Sequence, residues 1–518
     1  MKNHARPFLF LLSLAFALNV TANEQPNIVV ILTDDMGYSD LGCFGSEIET
    51  PNLDRLAKDG IRFTQMYNTS KCWTTRISLL TGLYHQRSDR EFSNTALAGE
   101  VLRPAGYHTW WSGKHHADFN PYDRGFDHFA GFLGGAVNFW NPDGQTAREG
   151  EPVPGWGANY DWAFDDKIVK DYLPEKSFYA TDRFTTWGLD WLDESPKDGH
   201  PFFLYLAYNA PHWPLHAHQS DIEKYNRVYD DGYAALRKLR YERQLEMGLF
   251  AAETTPLSTA QHHDWESLTS EDKKLEALRM QIHAAMVDRI DQNVGRLIGS
   301  LENKGLLENT LILFLADNGA SHEKPEKRGP RDTSVPMGSV GSFESIGMSW
   351  ANAVNTPLRM WKVQGLEGGI CTPMIAHWPA GTTTEPNHIC REPCHLIDLL
   401  PTFVELAGKK TQYPDEIPAM DGVSLTPLLR GSNALNRSTP LFFQYGSWQV
   451  VRDGDWKLVQ SKSKPWQLYH LSKDRTETRD VATLHPERVT AMSEKWLQWY
   501  QNCTGKAWQE SAKKEPKS

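Results

Sequence analysis

The sequence predicts an α/β fold, with a central and mostly parallel sheet between helices and a small C-terminal subdomain of antiparallel strands and a helix. Three observations predict it. Four apolar runs each end abruptly in charged or polar residues. A long helical pattern separates the last two runs. After about residue 415 the chain changes to short alternating segments with Asp-Gly and Ser-Lys turns.

The four runs are the predicted strands of the parallel sheet. They are residues 27–35 (NIVVILTDD), 108–116 (HTWWSGKHH), 201–214 (PFFLYLAYNAPHWP) and 310–319 (TLILFLADNG). A run that is apolar on both faces is typical of a central strand covered by helices on both sides. Ligands bind beyond the carboxyl ends of such strands, so each run places its polar residues where an active site is expected.

The helical pattern and the C-terminal segment complete the predicted architecture. Apolar residues recur three or four apart at Leu278, Ile282, Met286, Ile290, Val294, Leu297 and Leu301. The alternating segment PLFFQYGSWQVVRDGDWKLVQ precedes the helical stretch PERVTAMSEKWLQWY. We therefore expect a large catalytic domain over residues 23–415 and an α+β subdomain over residues 416–518.

The composition and the N-terminal residues predict the localisation of the protein. The chain has 518 residues and a formal charge of −11, which argues against general binding of nucleic acid. Residues 1–22 have a basic start, an apolar stretch and a small residue at the end, the pattern of a cleaved secretory signal. We expect a periplasmic or secreted protein with no membrane anchor in its mature form. Its six cysteines could then form disulfides.

Two pairs of polar residues follow predicted strands and are candidate metal ligands. They are Asp34 with Asp35, and Asp317 with Asn318. Either pair alone is more often a solvated turn. Together, at one sheet edge, they offer three carboxylates and an amide oxygen, which is a ligand set for calcium or magnesium. Zinc would normally recruit histidine or cysteine.

Basic residues end two other predicted strands. Lys114 and His116 are two apart in an extended run, so they share one face while His115 points to the other. His212 ends another run and is flanked by prolines that restrict the backbone. A Lys-His-His run alone is more often surface than site, and a lone histidine between prolines is as often structural as functional. Their place at the strand ends is what makes these residues candidates.

The segment KCWTTRISLLTG, residues 71–82, raises the question of what Cys72 does. Arg76 would lie on the same helix face as Cys72, and the positive potential of a helix N-terminus favours an anionic oxygen or sulfur there. The signature of a papain-like thiolate is missing, and no second cysteine lies at zinc-ligand spacing. A buried thiol, a disulfide partner and the precursor of a modified residue remain open.

The motif and its surroundings resemble the type I, formylglycine-dependent sulfatases of the alkaline-phosphatase superfold. CWTTRISLLTG is similar to their signature, usually Cys-x-Pro-x-Arg followed by a leucine-rich turn and Thr-Gly. Further segments follow in the family order: NIVVILTDDMGYSDLGCFG, TPNLDRLAKDGIRFTQMY, GKHH, YNAPHWPLHA, LADNGA, KVQGLEGGICTPMIAHWP and HLIDLLPTFVELAG. The resemblance covers nearly the whole mature chain.

The resemblance implies a nucleophile and a metal. Cys72 would be oxidised by a formylglycine-generating maturation enzyme, and the hydrate of the resulting aldehyde would attack sulfur. A sulfated hydrate can expel sulfate by collapsing back to the aldehyde, whereas a sulfated serine would be trapped. One Ca²⁺ ion per chain would be bound by residue 72 together with Asp34, Asp35, Asp317 and Asn318.

The resemblance also implies roles for basic residues. Arg76 would steady the hydrate, and His116 would assist its deprotonation and collapse. Lys114 and Lys362 would neutralise the sulfate oxygens, Lys362 standing five residues before Glu367 as in the family pattern. His212 would bind sulfate and protonate the departing oxygen.

Two positions depart from the family pattern. Thr74 stands where proline or alanine is usual, which bears on recognition by the maturation enzyme. His115 replaces a common tryptophan, and because its side chain should point away from Lys114 and His116, we expect little effect on the chemistry.

The substrate class is predicted from an aromatic segment, residues 132–162. Its Trp140, Trp156, Tyr160 and Trp162 either pack within a loop or form a platform on which sugar rings stack. The second interpretation favours a sulfated carbohydrate, with aryl sulfates accepted as surrogates. Two alternatives are a phosphodiesterase or phosphonate hydrolase of the same superfold, and a non-catalytic glycan-binding relative with unconverted Cys72.

Overall fold

A computed structural model describes residues 25–155, 160–195, 197–325, 334–408, 413–462 and 464–508 of the chain. The predicted signal segment, residues 1–22, lies outside the described residues, and so does Trp156 of the aromatic segment. Cleavage of the signal and export of the protein stay predictions.

The strands of the large sheet include the four predicted ones. They are β1 (Asn27–Asp34), β2 (Ile61–Tyr67), β3 (His108–Lys114), β4 (His128–Phe132), β5 (Trp162–Phe164), β6 (Lys167–Val169), β7 (Phe202–Pro211), β8 (Thr310–Ala316), β9 (Cys371–His377), β10 (His388–Cys390) and β11 (Cys394–His395). The residues of β1, β7, β8 and β9 are all buried, as expected for central strands.

The strand order brings the predicted strands side by side. The sheet runs β10-β2-β9-β8-β1-β7-β3-β4-β5-β6, and β11 also pairs with β2. Strands β8, β1, β7, β3 and β4 are parallel to their neighbours in this series. Strand β9 is antiparallel to both β2 and β8, and β5 is antiparallel to β4 and β6. The sheet is therefore mostly parallel, and the carboxyl ends of β8, β1, β7 and β3 meet at one edge.

Helices cover both faces of this sheet and complete the predicted α/β sandwich, and the full set of helices also includes α12 of the C-terminal region. They are α1 (Pro51–Lys58), α2 (Cys72–Thr81), α3 (Ala98–Leu102), α4 (Ala180–Glu194), α5 (Gln219–Lys224), α6 (Gly232–Glu246), α7 (Ser270–Asn303), α8 (Gly347–Val354), α9 (Glu367–Ile370), α10 (Leu399–Ala407), α11 (Thr426–Leu429) and α12 (Pro486–Thr504). Val29 and Ile31 of β1 face a core with α1, α4 and α7, whereas Val30 faces a second core with α2, α3 and α10.

The C-terminal region forms the predicted small sheet with a packed helix. Its antiparallel strands are β12 (Leu441–Tyr445), β13 (Trp448–Asp453), β14 (Trp456–Ser461) and β15 (Gln467–His470). Helix α12 packs on this sheet through Met492, Trp496 and Trp499. The predicted boundary between residues 415 and 416 stays a prediction.

All six cysteines lie in the described residues, and none of them forms a disulfide there. Among the helices of the described residues, none combines the length and the apolar character that crossing a bilayer requires.

Candidate active site

The polar residues at the strand ends converge, as the sequence predicts. Asp34 ends β1 and Asp35 follows it, while Asp317 and Asn318 follow the neighbouring strand β8. The remaining members of this edge are Lys114 at the end of β3, His116 two residues later, and His212 directly after β7. Asp35 and His116 have φ values of 64° and 65°. This left-handed backbone is costly outside glycine and is concentrated at functional sites.

The acidic residues form a buried cluster with unused oxygen atoms. The backbone N–H of Asp35 donates to Asp317 Oδ1 at 3.2 Å, and Asn318 Nδ2 donates to Asp35 Oδ1 at 2.6 Å. Within the described part of the chain, Asp34 Oδ1, Asp317 Oδ2 and Asn318 Oδ1 are buried without a hydrogen-bond partner. Such groups cost roughly 1–3 kcal/mol each when nothing binds them. The unused oxygen atoms make this cluster a candidate cation site.

The pKa values of Asp34 and Asp317 are shifted in opposite directions. Burial raises the pKa of Asp34, but the cations of Lys114, His212, Lys362 and Arg76 outweigh this and hold the pKa well below its usual value. Burial and the nearby charge of Asp34 raise the pKa of Asp317 well above its usual value. A cation would relieve this repulsion between carboxylates.

Two buried lysines reach the acidic cluster from different parts of the fold. Lys114 Nζ forms an ion pair with Asp34 Oδ2, and Lys362 Nζ lies 2.6 Å from Asp35 Oδ1. Both lysine side chains are fully buried. The structure thus brings Lys362, predicted only from the family pattern, to the edge of the sheet where Lys114 lies.

Cys72 is the first residue of helix α2 and lies against the acidic cluster. Its Sγ and one oxygen each from Asp34 and Asp317 lie within 4.8 Å of one another. Arg76 Nη1 donates to the Lys114 carbonyl at 2.8 Å, and Arg76 Nη2 lies 3.7 Å from Asp317 Oδ2. Residue 72 therefore faces both the candidate cation site and a buried guanidinium group.

Thr74 fits the first turn of helix α2 through its hydroxyl group. Thr74 Oγ1 donates to the Lys71 carbonyl at 2.9 Å and lies 2.5 Å from Thr69 Oγ1. The side chain is fully buried. Threonine is thus accommodated by local hydrogen bonds at the position where the family usually has proline or alanine.

His116 and its neighbour His115 lie on different sides of the strand end. His115 packs against Trp111 and Phe119, with ring centroids 4.7 and 4.3 Å away. Burial lowers the pKa of His116 well below its usual value, and the cation of Lys114 lowers it further. A neutral imidazole at this position is able to accept a proton.

His212 lies between the acidic cluster and the backbone of the next residue. Its Nδ1 donates to the Trp213 carbonyl at 2.6 Å, and its Nε2 lies 3.4 Å from Asp35 Oδ2. Burial lowers the pKa of His212, while Asp35 and Asp34 oppose this effect. A bound anion would favour the protonated imidazole.

The aromatic segment divides between core and surface. The platform interpretation is wrong for Trp162, which lies in β5 with no exposed surface and packs against Tyr172 and Phe132. Tyr160 is 37% exposed, and a side chain at Gly134 would overlap its ring. A side chain at the next residue, Gly135, would overlap the ring of His116. Tyr160 is thus a partly exposed aromatic ring one glycine away from the segment that borders His116.

Three residues near the site were not predicted from the sequence. Lys71 precedes Cys72, and its Nζ lies 4.0 Å from Glu323 Oε1. Tyr445, at the end of β12, interacts electrostatically with Lys71 and Cys72, and burial raises the pKa of its phenol group. No local pattern distinguishes these residues from surface residues, because their position depends on contacts between distant segments.

The fold and this edge of buried acids, lysines and histidines define a hydrolase of the alkaline-phosphatase superfold. The sulfatase family profile matches residues 26–409, which is most of the chain. A second profile, the C-terminal region of N-sulphoglucosamine sulphohydrolase, matches residues 362–499. The chain belongs to the sulfatase family and is a sulfuric ester hydrolase.

Individual relatives agree with this assignment. An uncharacterized sulfatase of Schizosaccharomyces pombe is 32% identical, with 92% of this chain and 93% of the relative covered. The arylsulfatase of Klebsiella aerogenes is 32% identical over 80% of this chain and 94% of its own. The crystal structure of Ps i-CgsB in complex with k-i-k-neocarrahexaose superposes with a TM-score of 0.67 at 25% identity, covering 94% of this chain and 96% of that one.

Proposed function

We propose that the protein hydrolyses sulfate esters of a carbohydrate, with residue 72 converted to formylglycine as the nucleophile and one calcium ion bound beside it. The observation that carries this proposal is the position of Cys72. It begins helix α2, contacts the unsatisfied acidic cluster and lies among buried cationic side chains. An unmodified thiol needs neither the cluster nor the cations.

The donor set of the acidic cluster fits calcium. Its unused atoms are carboxylate and amide oxygens, which suit a hard cation. Asp34, Asp35, Asp317, Asn318 and the modified residue 72 would hold the ion. When bound, it would lower the pKa of the hydrate hydroxyl and offset negative charge on the sulfate oxygens.

The basic residues have distinct positions and distinct proposed roles. Arg76 supports the hydrate, because its Nη2 has no hydrogen-bond partner among the described residues and lies beside Asp317. Lys114 and Lys362 bind the sulfate oxygens through charge. Neutral His116 takes the proton of the second hydrate hydroxyl while sulfate leaves. A maturation enzyme must first oxidise Cys72.

His212 is the proposed acid for the leaving oxygen. The Trp213 carbonyl fixes the proton of Nδ1, so it is the Nε2 proton that is available for transfer. As the bond between sulfur and the ester oxygen breaks, that proton passes to the oxygen and the alcohol departs. The pKa of His212 is lowered by burial, so transfer of its proton to a basic alkoxide is favourable.

A carbohydrate is the substrate class that the surroundings support. Tyr160 offers an exposed ring against Gly134, one residue from the glycine that borders His116, and a sugar ring presents an apolar face that stacks on such a side chain. The similarity to a sulfatase fold that is known in complex with an oligosaccharide is a second support.

The experiment that tests this function compares matched esters. Purified, matured protein is assayed with defined sulfated oligosaccharides, an aryl sulfate, and the phosphate esters and phosphonates of the same alcohols. We expect the largest kcat/KM for a sulfated sugar. A larger kcat/KM for a phosphodiester or phosphonate would contradict the proposal and favour the other activity of this superfold.

A further inference from the structure

Glu323 is an acidic side chain placed among the cations of the candidate active site. Its Oε2 accepts a hydrogen bond from the indole N–H of Trp213 at 2.9 Å, and its Oε1 lies 4.0 Å from Lys71 Nζ. The side chains of Glu323 and Lys71 are 13% and 15% exposed, so both are mostly buried but keep some contact with solvent. This acid is separate from the proposed cation ligands.

The carboxyl group of Glu323 is ionised. Burial raises its pKa, but the charges of Lys362, Lys71 and His212 outweigh burial and hold the pKa well below its usual value. A fixed negative charge near Lys362 and His212 repels the sulfate group that these residues are proposed to bind. The charge does not favour sulfate binding, so a direct contact between Glu323 and the substrate would involve a part other than the sulfate group.

One oxygen of Glu323 remains available to a ligand. Oε2 is occupied by Trp213 and lies 3.4 Å from Ser321 Oγ. Within the described residues, Oε1 has no hydrogen-bond donor in range, since Lys71 at 4.0 Å is an ion pair only. An ionised carboxylate oxygen only accepts hydrogen bonds, so its partner must be a hydroxyl or amino group.

The anchor of Glu323 places it near the departing alcohol. Trp213 follows His212 directly, and the carbonyl of Trp213 holds His212 Nδ1 at 2.6 Å. If His212 gives its proton to the ester oxygen, as the proposed function requires, the sugar lies on the His212 side of the sulfate. Glu323, one hydrogen bond away from Trp213, then faces that sugar.

We propose that Glu323 is a specificity residue that accepts a hydrogen bond from a hydroxyl or amino group of the sulfated sugar ring and rejects a second sulfate or a carboxylate there. The inference rests on the proposed function and names its substrate class more closely. The preferred substrate carries one sulfate next to a neutral or amino-bearing position.

The test uses a monosulfated methyl hexoside that the wild-type enzyme hydrolyses, the same hexoside with the neighbouring hydroxyl also sulfated, and its deoxy analogue at that position. Glu323→Gln should lower kcat/KM for the monosulfated sugar by about tenfold or more, the usual size for a hydrogen bond to a charged group. Because the repelling charge is gone, kcat/KM for the disulfated sugar should itself rise, so the ratio of kcat/KM for the disulfated over the monosulfated sugar should rise by more than the loss on the monosulfated sugar alone.

Trp213→Phe is the matched control. It removes the anchor of Glu323 but keeps the charge. It should therefore lower kcat/KM for the monosulfated sugar, which loses a positioned hydrogen bond, without raising kcat/KM for the disulfated sugar as Glu323→Gln does. The wild-type enzyme tests the same contact without a mutation: the deoxy analogue should be a poorer substrate, and Glu323→Gln should cause no further loss on it.

Two results would overturn the proposal. One is an unchanged ratio in Glu323→Gln, and the other is a wild-type kcat/KM that is the same for the deoxy analogue as for the monosulfated sugar. Failure of the proposed function is distinguishable, because the wild-type enzyme would then hydrolyse no sulfated sugar.

Discussion

Lys362 Nζ lies 2.6 Å from Asp35 Oδ1, although the two residues are 327 positions apart in the chain. A second buried lysine, Lys114, meets Asp34 of the same acidic cluster. The two carboxylates are proposed to bind a cation, and the two lysines are proposed to bind a sulfate group. The residues for the two ligands therefore lie within hydrogen-bond distance of one another.

Formylglycine at residue 72 is the first expectation. The signature CWTTRISLLTG and the contact of Cys72 with the acidic cluster motivate it. Peptide mass spectrometry of exported protein should show loss of the thiol mass at residue 72 and a reaction with a hydrazide. Cys503, which lies outside the site in helix α12, is an internal control and should keep its thiol. Active protein with only unmodified Cys72 would mean that the proposed nucleophile is wrong.

Calcium dependence is the second expectation. Chelator treatment should abolish activity, and one calcium per chain should restore it, because the unused ligand atoms are oxygens. Elemental analysis of the treated and reconstituted protein measures the metal content. Asp317→Asn should weaken calcium binding, whereas Asp230→Asn, at an exposed surface pair, should not. Stoichiometric zinc, with activity restored by zinc alone, would contradict this assignment.

The third expectation separates an acid role of His212 from sulfate binding. A sugar hydroxyl leaves as a poor alkoxide and needs a proton, whereas a nitrophenolate leaves readily without one. His212→Ala should lower kcat/KM for a sugar sulfate on the order of 10²–10⁴-fold, and clearly less for a nitrophenyl sulfate. Equal losses on both substrates would place His212 with the lysines as a sulfate-binding residue only.

The sequence predicts the strands that carry the site better than it predicts the other strands of the large sheet. The runs that become β1, β3, β7 and β8 are apolar on both faces and end in polar residues, so local pattern and burial agree. The antiparallel strand β9 was not predicted. Its place and direction in the sheet depend on pairing with β2 and β8, and the local sequence does not show this pairing.

The site shows the same limit. The candidate ligands follow strands and are visible in the sequence, and Lys362 is found by family pattern. The sequence does not identify Glu323 as a candidate site residue, because its position in the site depends on contacts with Trp213 and Lys71, which belong to other segments. For Trp162 the sequence leaves packing and a sugar platform open, because a tryptophan in a glycine-rich segment gives no sign of whether it is buried, and the structure buries it.

A buried ionic network between the large and the small sheet gives the fourth expectation. Among the described residues its buried members are three cations and two anions, Lys457, Arg452, Arg475, Glu367 and Glu477, and the half-buried Arg359 lies at the edge of the network. Glu367 contacts Lys457 at 2.7 Å and pairs with Arg475, and its carboxylate also accepts a hydrogen bond from the Tyr67 hydroxyl. Glu367→Gln leaves three cations facing one anion and should cost about 3–5 kcal/mol in the free energy of unfolding.

Lys457→Met is the matched variant for this network. It leaves two cations with two anions, so it should destabilise the protein less than Glu367→Gln does. Urea unfolding of the two variants measures the difference. An equal or larger loss in Lys457→Met would show that hydrogen bonding of the ammonium group, which contacts Glu367 and Glu477 at 2.7 and 2.6 Å, outweighs the balance of charge.

Asp40 gives the last expectation, a dependence of stability on pH. Its carboxylate accepts hydrogen bonds from Arg240, His283 and the Gly37 backbone N–H, each at 2.8 Å. Burial raises its pKa, but His283 and Arg240 outweigh burial and lower the pKa from 3.8 to about 2.

In the unfolded chain the Asp40 carboxyl group binds a proton at higher pH than in the folded protein. Its contribution to stability is therefore complete above pH 3.8 and is lost as the pH falls through 2. The shift corresponds to about 2 kcal/mol. The difference in free energy of unfolding between the wild-type protein and Asp40→Asn should therefore shrink by about that amount between pH 5 and about pH 2 in urea titrations. A difference that stays constant over this range would show that the Asp40 carboxylate stabilises the fold by hydrogen bonds that its protonated form retains.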